Sequence, residues 1–314
     1  MYESFFAAVR TVVPMALLML AGFLARKSKI IDSPSMRKYD KLIFALFMPT
    51  LLFKNIYEAD FSGGTDFSKA FIFAGVSLVV IFLFSIFFIP KFIKDHNKAA
   101  VIAQATVRCN YILFGIAVSE ALYGEGKAGT VAILGTLVVP AINILSAIIL
   151  ELNRSGKANP LKLFIAVLKN PMIIGAILAF IFKGFNIYIP VPIWMALKGI
   201  ANATTTVSFI SLGVGLDMAE TRSDFKPLLF AIVLRMIFVP VIFMSLSLLL
   251  GFKGSMLCAL MVIFASPTAV ASYPMAVAMG ADGNLAGQIV CVTTLLSVFT
   301  LFLWTFGLMN FGML

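Results

Sequence analysis

Charge is what this chain has least of. Only 12% of its 314 residues are charged, while 61% are hydrophobic. A soluble domain carries about 25% charged and 45–50% apolar residues. Too few polar side chains remain to cover a large core, so a water-soluble enzyme is excluded. The mean hydropathy of +1.04 excludes intrinsic disorder as well. Histidine is nearly absent, and the lone His96 stands in a basic loop. No His, Cys, Asp or Glu spacing suits a metal, and no nucleophile–base pattern suits catalysis. Neither a metal, a cofactor nor an enzymatic residue is expected. Cysteine is scarce too: Cys109, Cys258 and Cys291 all fall inside apolar runs, which excludes a disulfide framework and reads as packed thiols.

Acid within the apolar runs is the last absence. Of the 14 Asp and Glu residues none falls mid-run, and Glu120 comes nearest. The buried carboxylates that sodium and proton carriers commonly use are therefore missing from that region.

Long apolar runs are what the chain does have. Ten of them lie near 5–25, 42–57, 70–89, 99–123, 128–150, 161–182, 194–216, 225–250, 255–279 and 285–308. Runs of about 20 residues read as membrane-spanning helices, and the short alternating segments of a barrel do not occur. Met1-Tyr2-Glu3-Ser4 lacks a basic region and a cleavage site, so the first run is expected to be a retained span. Alternate loops differ sharply in Lys and Arg. Fourteen fall in the odd-numbered loops, beginning with Arg26 and Lys27, against seven on the other face. The positive-inside rule then places both termini outside the cytoplasm. Most of the net charge of +10 is explained in this way, and no nucleic-acid partner is required.

An internal repeat is visible. Pro14-Met15 recurs as Pro171-Met172, and Gly124, Gly126 and Gly129 recur as Gly280, Gly283 and Gly287, all at offsets of 156–158. Five spans per repeat is an odd number, so a first half at 1–150 and a second at 161–314, joined by a short cytoplasmic linker at 151–160, are inverted in the membrane. Inverted repeats are a transporter signature, with the substrate site near the midplane at discontinuous helices. A duplicated unit serving a channel is the competing reading.

The fourth and ninth spans correspond under this offset, and Asn110 falls on Pro267. Each lies about 17 Å into its span at 1.5 Å per residue, close to the bilayer centre. Pro267 cannot donate a backbone N–H and frees carbonyls near Ile263 and Phe264. Asn110 can satisfy or mimic such groups, and Gly115 is expected to permit local unwinding. Two facing half-helix N-termini would favour an anion. Arg108 is a mid-span charge with no acid at i±3 or i±4, so a carboxylate substrate is one candidate partner and helix C-terminal carbonyls are the other. Arg235, in the eighth span, has the same two readings. Tyr111, Ser266 and Thr268 flank the breaks, and Gln104, Asn143 and Gln288 are further polar candidates that could equally act as interhelical glue.

These residues resemble the auxin efflux carrier family, which spans plant auxin carriers and bacterial permeases for malate- or malonate-like dicarboxylates. The resemblance covers the whole length. It is strongest at Arg108-Cys109-Asn110-Tyr111-Ile112-Leu113-Phe114-Gly115 and at Ala265-Ser266-Pro267-Thr268-Ala269-Val270-Ala271, with support from Met48-Pro49-Thr50-Leu51-Leu52-Phe53 and Thr293-Thr294-Leu295-Leu296-Ser297. It implies an all-α polytopic membrane protein of ten transmembrane helices with helices 4 and 9 broken and crossing. It also implies a scaffold of the first, second, sixth and seventh helices, elevator-like movement of the rest, and the homodimer through that scaffold that is common in the family. Asn110 matches the family's crossover asparagine and Pro267 its partner proline. Many relatives have proline where this chain has Ala117, and the short linker favours a prokaryotic protein. The expected function is a carrier in the plasma (inner) membrane for a small mono- or dicarboxylate. The alternative is an anion channel or membrane sensor on the same repeat.

Overall fold

The computed structural model describes residues 2–58, 67–124, 127–155, 165, 168–215 and 225–314. Among the described residues every regular element is a helix, as lipid requires of an open chain. Of the repeat landmarks, Gly126 lies outside the described residues, as does the second half of the 151–160 linker.

The first run becomes α1 (Tyr2–Lys27). The second is longer than expected. It starts at α2 (Ser33–Leu42), where the Asp32 carboxylate accepts the Ser35 amide at 2.8 Å and caps the helix. The Ser35 hydroxyl and then this amide bond hold the Asp32 carboxyl below its ordinary range. A π-helical turn, Ile43–Phe47, then leads into α3 (Met48–Glu58). The extra length carries Asp40 into the interior, where it accepts from the Ser211 hydroxyl. The π turn stands just before Pro49, and a second one, Leu234–Phe238, stands just before Pro240. A proline ring clashes with the carbonyl four residues back, and a widened turn relieves that clash without breaking the helix.

The remaining elements are α4 (Ser68–Phe92), α5 (His96–Val107), α6 (Tyr111–Tyr123), α7 (Gly129–Ser155), α8 (Pro171–Gly184), α9 (Val191–Gly215) and α10 (Phe225–Val233). They continue with α11 (Val239–Leu249), α12 (Gly254–Ala265), α13 (Ser272–Ala278) and α14 (Gly283–Asn310). Four stretches, Ser68–Phe92, Gly129–Leu152, Phe225–Leu249 and Gly283–Asn310, are each long and apolar enough to cross a bilayer alone. Two expected spans are interrupted: α5 and α6 share the fourth run, and α12 and α13 share the ninth.

Two helix pairs hold one side of the molecule. In the first, α1 lies against α9 at backbone contact: a Cβ at Gly22 would collide with the Ile210 carbonyl, and one at Gly213 with that of Met19. Small residues permit this approach where water drives no association. In the second, α3 packs on α8, with Gly175 facing Pro49. The helices before the two breaks are deeply enclosed: Ala99 through Val107 of α5 and Leu257 through Ala265 of α12 are all buried.

Candidate functional site

The interruptions at 108–110 and 266–271 cross in the interior as a short antiparallel pair. The Asn110 amide donates to the Pro267 carbonyl at 2.9 Å, and the Ala269 amide to the Arg108 carbonyl at 3.3 Å. Between them Cys109 and Thr268 form an isolated bridge. Each break leaves a helix with unpaired C-terminal carbonyls, and buried ones must find donors. At the end of α5, Gln104 O receives the Arg108 amide at 2.9 Å and Ala105 O the Thr268 hydroxyl at 3.2 Å. The Thr106 carbonyl takes Arg235 Nη1 at 3.3 Å.

Arg235 also closes α12. Its Nη2 donates to Ile263 O at 2.9 Å and to Ser266 O at 2.7 Å, while Nε reaches Ser266 O at 3.0 Å. Ile263 holds the carbonyl that Pro267 was expected to free. For this arginine, then, helix C-terminal carbonyls are the partners, and its positive charge meets the negative ends of two half-helices.

Arg108 lies differently. It is 3% exposed; Nη2 donates to Asn143 Oδ1 at 2.6 Å and Nη1 to the Met275 sulfur at 2.8 Å, while Nε has no partner. Asn143 is held in turn by its Nδ2 on Val139 O at 2.7 Å. Arg108, Asn110, Tyr111 and Asn143 all line a cavity of about 300 Å³, to whose lining Lys54 and Asn55 of α3 and Asn202 and Thr205 of α9 also contribute. Asn110 precedes the first turn of α6 without capping it, and its Nδ2 has no partner. No Asp or Glu lines this cavity among the described residues.

The cavity thus gathers four of the ten residues singled out in sequence. Pro267 and Ser266 contribute carbonyls to the crossover. Thr268 bonds across it and receives the Thr293 hydroxyl oxygen as acceptor for its amide at 3.3 Å. Gln104 and Gln288 are buried on α5 and α14, off the cavity wall, with amide groups that make no hydrogen bond. Gly115 corrects an expectation: α6 is regular from Tyr111 to Tyr123, so no unwinding occurs there. The glycine instead lets α6 press against Val131 of α7, where a Cβ would collide. Lys54 and Asn55 were missed by sequence reasoning, because a lysine near the end of an apolar run looks like any loop lysine.

A second space, about 470 Å³, shares Asn55, Ile112 and Val139 with the cavity and reaches Glu58 and Glu120. Elsewhere α2 packs against α13, and Met36, Met275 and Met279 join one apolar cluster.

Comparison with known proteins agrees with this architecture. A solved structure of the sodium proton antiporter MjNhaP1 from Methanocaldococcus jannaschii aligns with a TM-score of 0.65 over 94% of this chain and 96% of that one, at 13% identity. The likeness is one of fold. An uncharacterized transporter of Methanothermobacter thermautotrophicus is 19% identical over 304 residues, covering 96% of this chain and 98% of its own. The model of the membrane transport protein family matches residues 7–305. The chain therefore belongs to that family, the family of the auxin efflux carriers, and is a multi-pass membrane protein.

Proposed function

We propose that the protein is a secondary carrier for a small organic anion, a mono- or dicarboxylate, which binds between Arg108, Asn110 and the first turn of α6. One observation carries this reading: a buried guanidinium stands in the crossover cavity with an unpartnered N–H and no carboxylate beside it among the described residues. A charge at this depth costs at least ~2.5–3.5 kcal/mol on insertion scales, so it demands an anionic partner or a functional reason. A carboxylate would supply an ionised acceptor, and so a full ion pair, where Asn143 now supplies a neutral amide oxygen. The amides of the first turn of α6, a 13-residue helix, add positive potential at the same place.

The carrier works by alternating access. A second space that shares Asn55, Ile112 and Val139 with the cavity reaches Glu120 near the α6 C-terminal end, while α2 packs on α13, and this asymmetry supports the reading. Two inverted halves, 1–150 and 161–314, supply the alternate state, with α1, α3, α8 and α9 as scaffold and the crossover moving against it as an elevator. The crossover residues Asn110 and Pro267 and the left-handed glycines Gly124 (φ 101°) and Gly280 (φ 76°), each just beyond a half-helix, support this pairing. The excess of Lys and Arg on one face supports a plasma-membrane orientation with both termini outside, and the short linker a prokaryotic source.

The test is counterflow in proteoliposomes over a panel of carboxylates from formate to citrate. Saturable exchange of at least one, abolished by Asn110→Ala, is expected. Non-saturating single-channel currents, or transport unchanged in Asn110→Ala, would sink the assignment.

A further inference from the structure

We infer that Lys54, which lines the same cavity as Arg108, is a second anion-binding residue, and that Glu58 restrains it by competing for its charge. This rests on the reading of the crossover cavity as an anion site. Lys54 stands on α3, and its Nζ donates to Asn202 Oδ1 of α9 at 2.9 Å. Arg108 likewise rests on Asn143 Oδ1. Both cations of the cavity are thus parked on neutral amide oxygens, which hold a charge more weakly than a carboxylate does. An entering anion displaces the amides and meets both cations.

Glu58 sets how freely Lys54 can respond. Its Oε2 lies 3.9 Å from Lys54 Nζ, while its Oε1 lies 3.1 Å from Lys198 Nζ, and the Glu58 side chain is 41% exposed. Lys198 also lies over the Trp194 ring, 5.2 Å from its centroid. The carboxylate is therefore committed mainly to Lys198, and its hold on Lys54 is long and half-solvated, a pair that is weak by nature. Glu58 also lines the outer space through which an anion would arrive. It lowers the local potential there and offers Lys54 a rival partner, so removing it strengthens anion capture.

The potential beside Lys54 can be read without knowing the transported substrate. In full-length protein with Cys109, Cys258 and Cys291 replaced by Ala, Asn55→Cys supplies a thiol at the junction of the two spaces, and Thr205→Cys a second one in the cavity lining. Each is reacted at low salt with sulfonatoethyl methanethiosulfonate, an anion, and with its trimethylammonioethyl counterpart, a cation. Lys54→Met is expected to lower the anion-to-cation rate ratio about 10-fold, as removal of one nearby charge should. Lys54→Arg keeps the ratio, and Glu58→Gln, which leaves both lysines in place, raises it about threefold. A ratio within twofold of the parent in Lys54→Met, or a fall in Glu58→Gln, overturns the inference. Because the probe is a sulfonate, the result stands apart from whether any carboxylate is transported.

Discussion

The crossover has two buried arginines on two faces, and they solve opposite problems. Arg235 spends its guanidinium on the Thr106, Ile263 and Ser266 carbonyls, closing two helix ends that the chain breaks left open. Arg108 meets one amide oxygen and one sulfur and keeps Nε free beside a cavity. Equal burial thus hides unequal commitment. What separates a structural cation from a binding one here is how many of its hydrogen bonds the fold itself consumes.

The sharpest way to break that contrast is to remove each arginine and compare stability with transport. Arg235→Ala leaves buried carbonyls at two helix ends without a donor and should cost about 3–5 kcal/mol of stability. The check is thermal unfolding of the purified protein in detergent, together with membrane yield. Arg235→Lys should recover only part, since one ammonium cannot span three carbonyls in a fixed fork. Arg108→Gln should do the reverse: transport of the panel's best carboxylate falls about 100-fold, in line with losing one partner of a buried charged pair, while the unfolding temperature barely moves. Equal destabilisation by both substitutions would make both arginines structural.

Much of this is legible in the sequence. Pro267 announces its own break, because a ring without an N–H must orphan the Ile263 carbonyl, and the periodic spacing of apolar runs finds the helices around it. The donor for that carbonyl was not legible. Arg235 lies 28 residues from Ile263 and 129 from Thr106 in the chain, and nothing local distinguishes it from Arg108, so both carried the same two readings. Lys54 was hidden for a related reason: its meaning comes from Asn202, 148 residues away. Gly115 shows the converse error. A glycine inside a helix suggests flexibility, yet here it is close packing against Val131 that requires it.

A subtler probe asks what holds Arg108 in place. Asn143→Ala deletes the oxygen on which Nη2 rests and leaves the guanidinium with the Met275 sulfur alone. If that oxygen merely parks the cation until an anion arrives, its loss should shift the apparent KM for the carboxylate by about threefold to tenfold, with a smaller change in maximal rate. A loss of transport as deep as in Arg108→Gln would show instead that Asn143 acts as a partner of the substrate itself.

The smallest effect is expected on the structural face. Thr293 bonds its hydroxyl to the Ile289 carbonyl at 2.7 Å and accepts the Thr268 amide at 3.3 Å, one of the few links between α14 and the crossover strand. Thr293→Val keeps the shape and removes the acceptor, leaving a buried N–H without a partner. One such group costs about 1–3 kcal/mol, and the length of the bond places the expected loss at the low end, about 1 kcal/mol. Transport parameters should stay within twofold, because the Thr268 side chain still bonds the Ala105 carbonyl and the pairing of Asn110 with Pro267 is untouched. A marked fall in transport at normal stability would mean that α14 sets the crossover's position as well as its strength. The division between a load-carrying Arg235 face and a binding Arg108 face would then have to be redrawn to include α14.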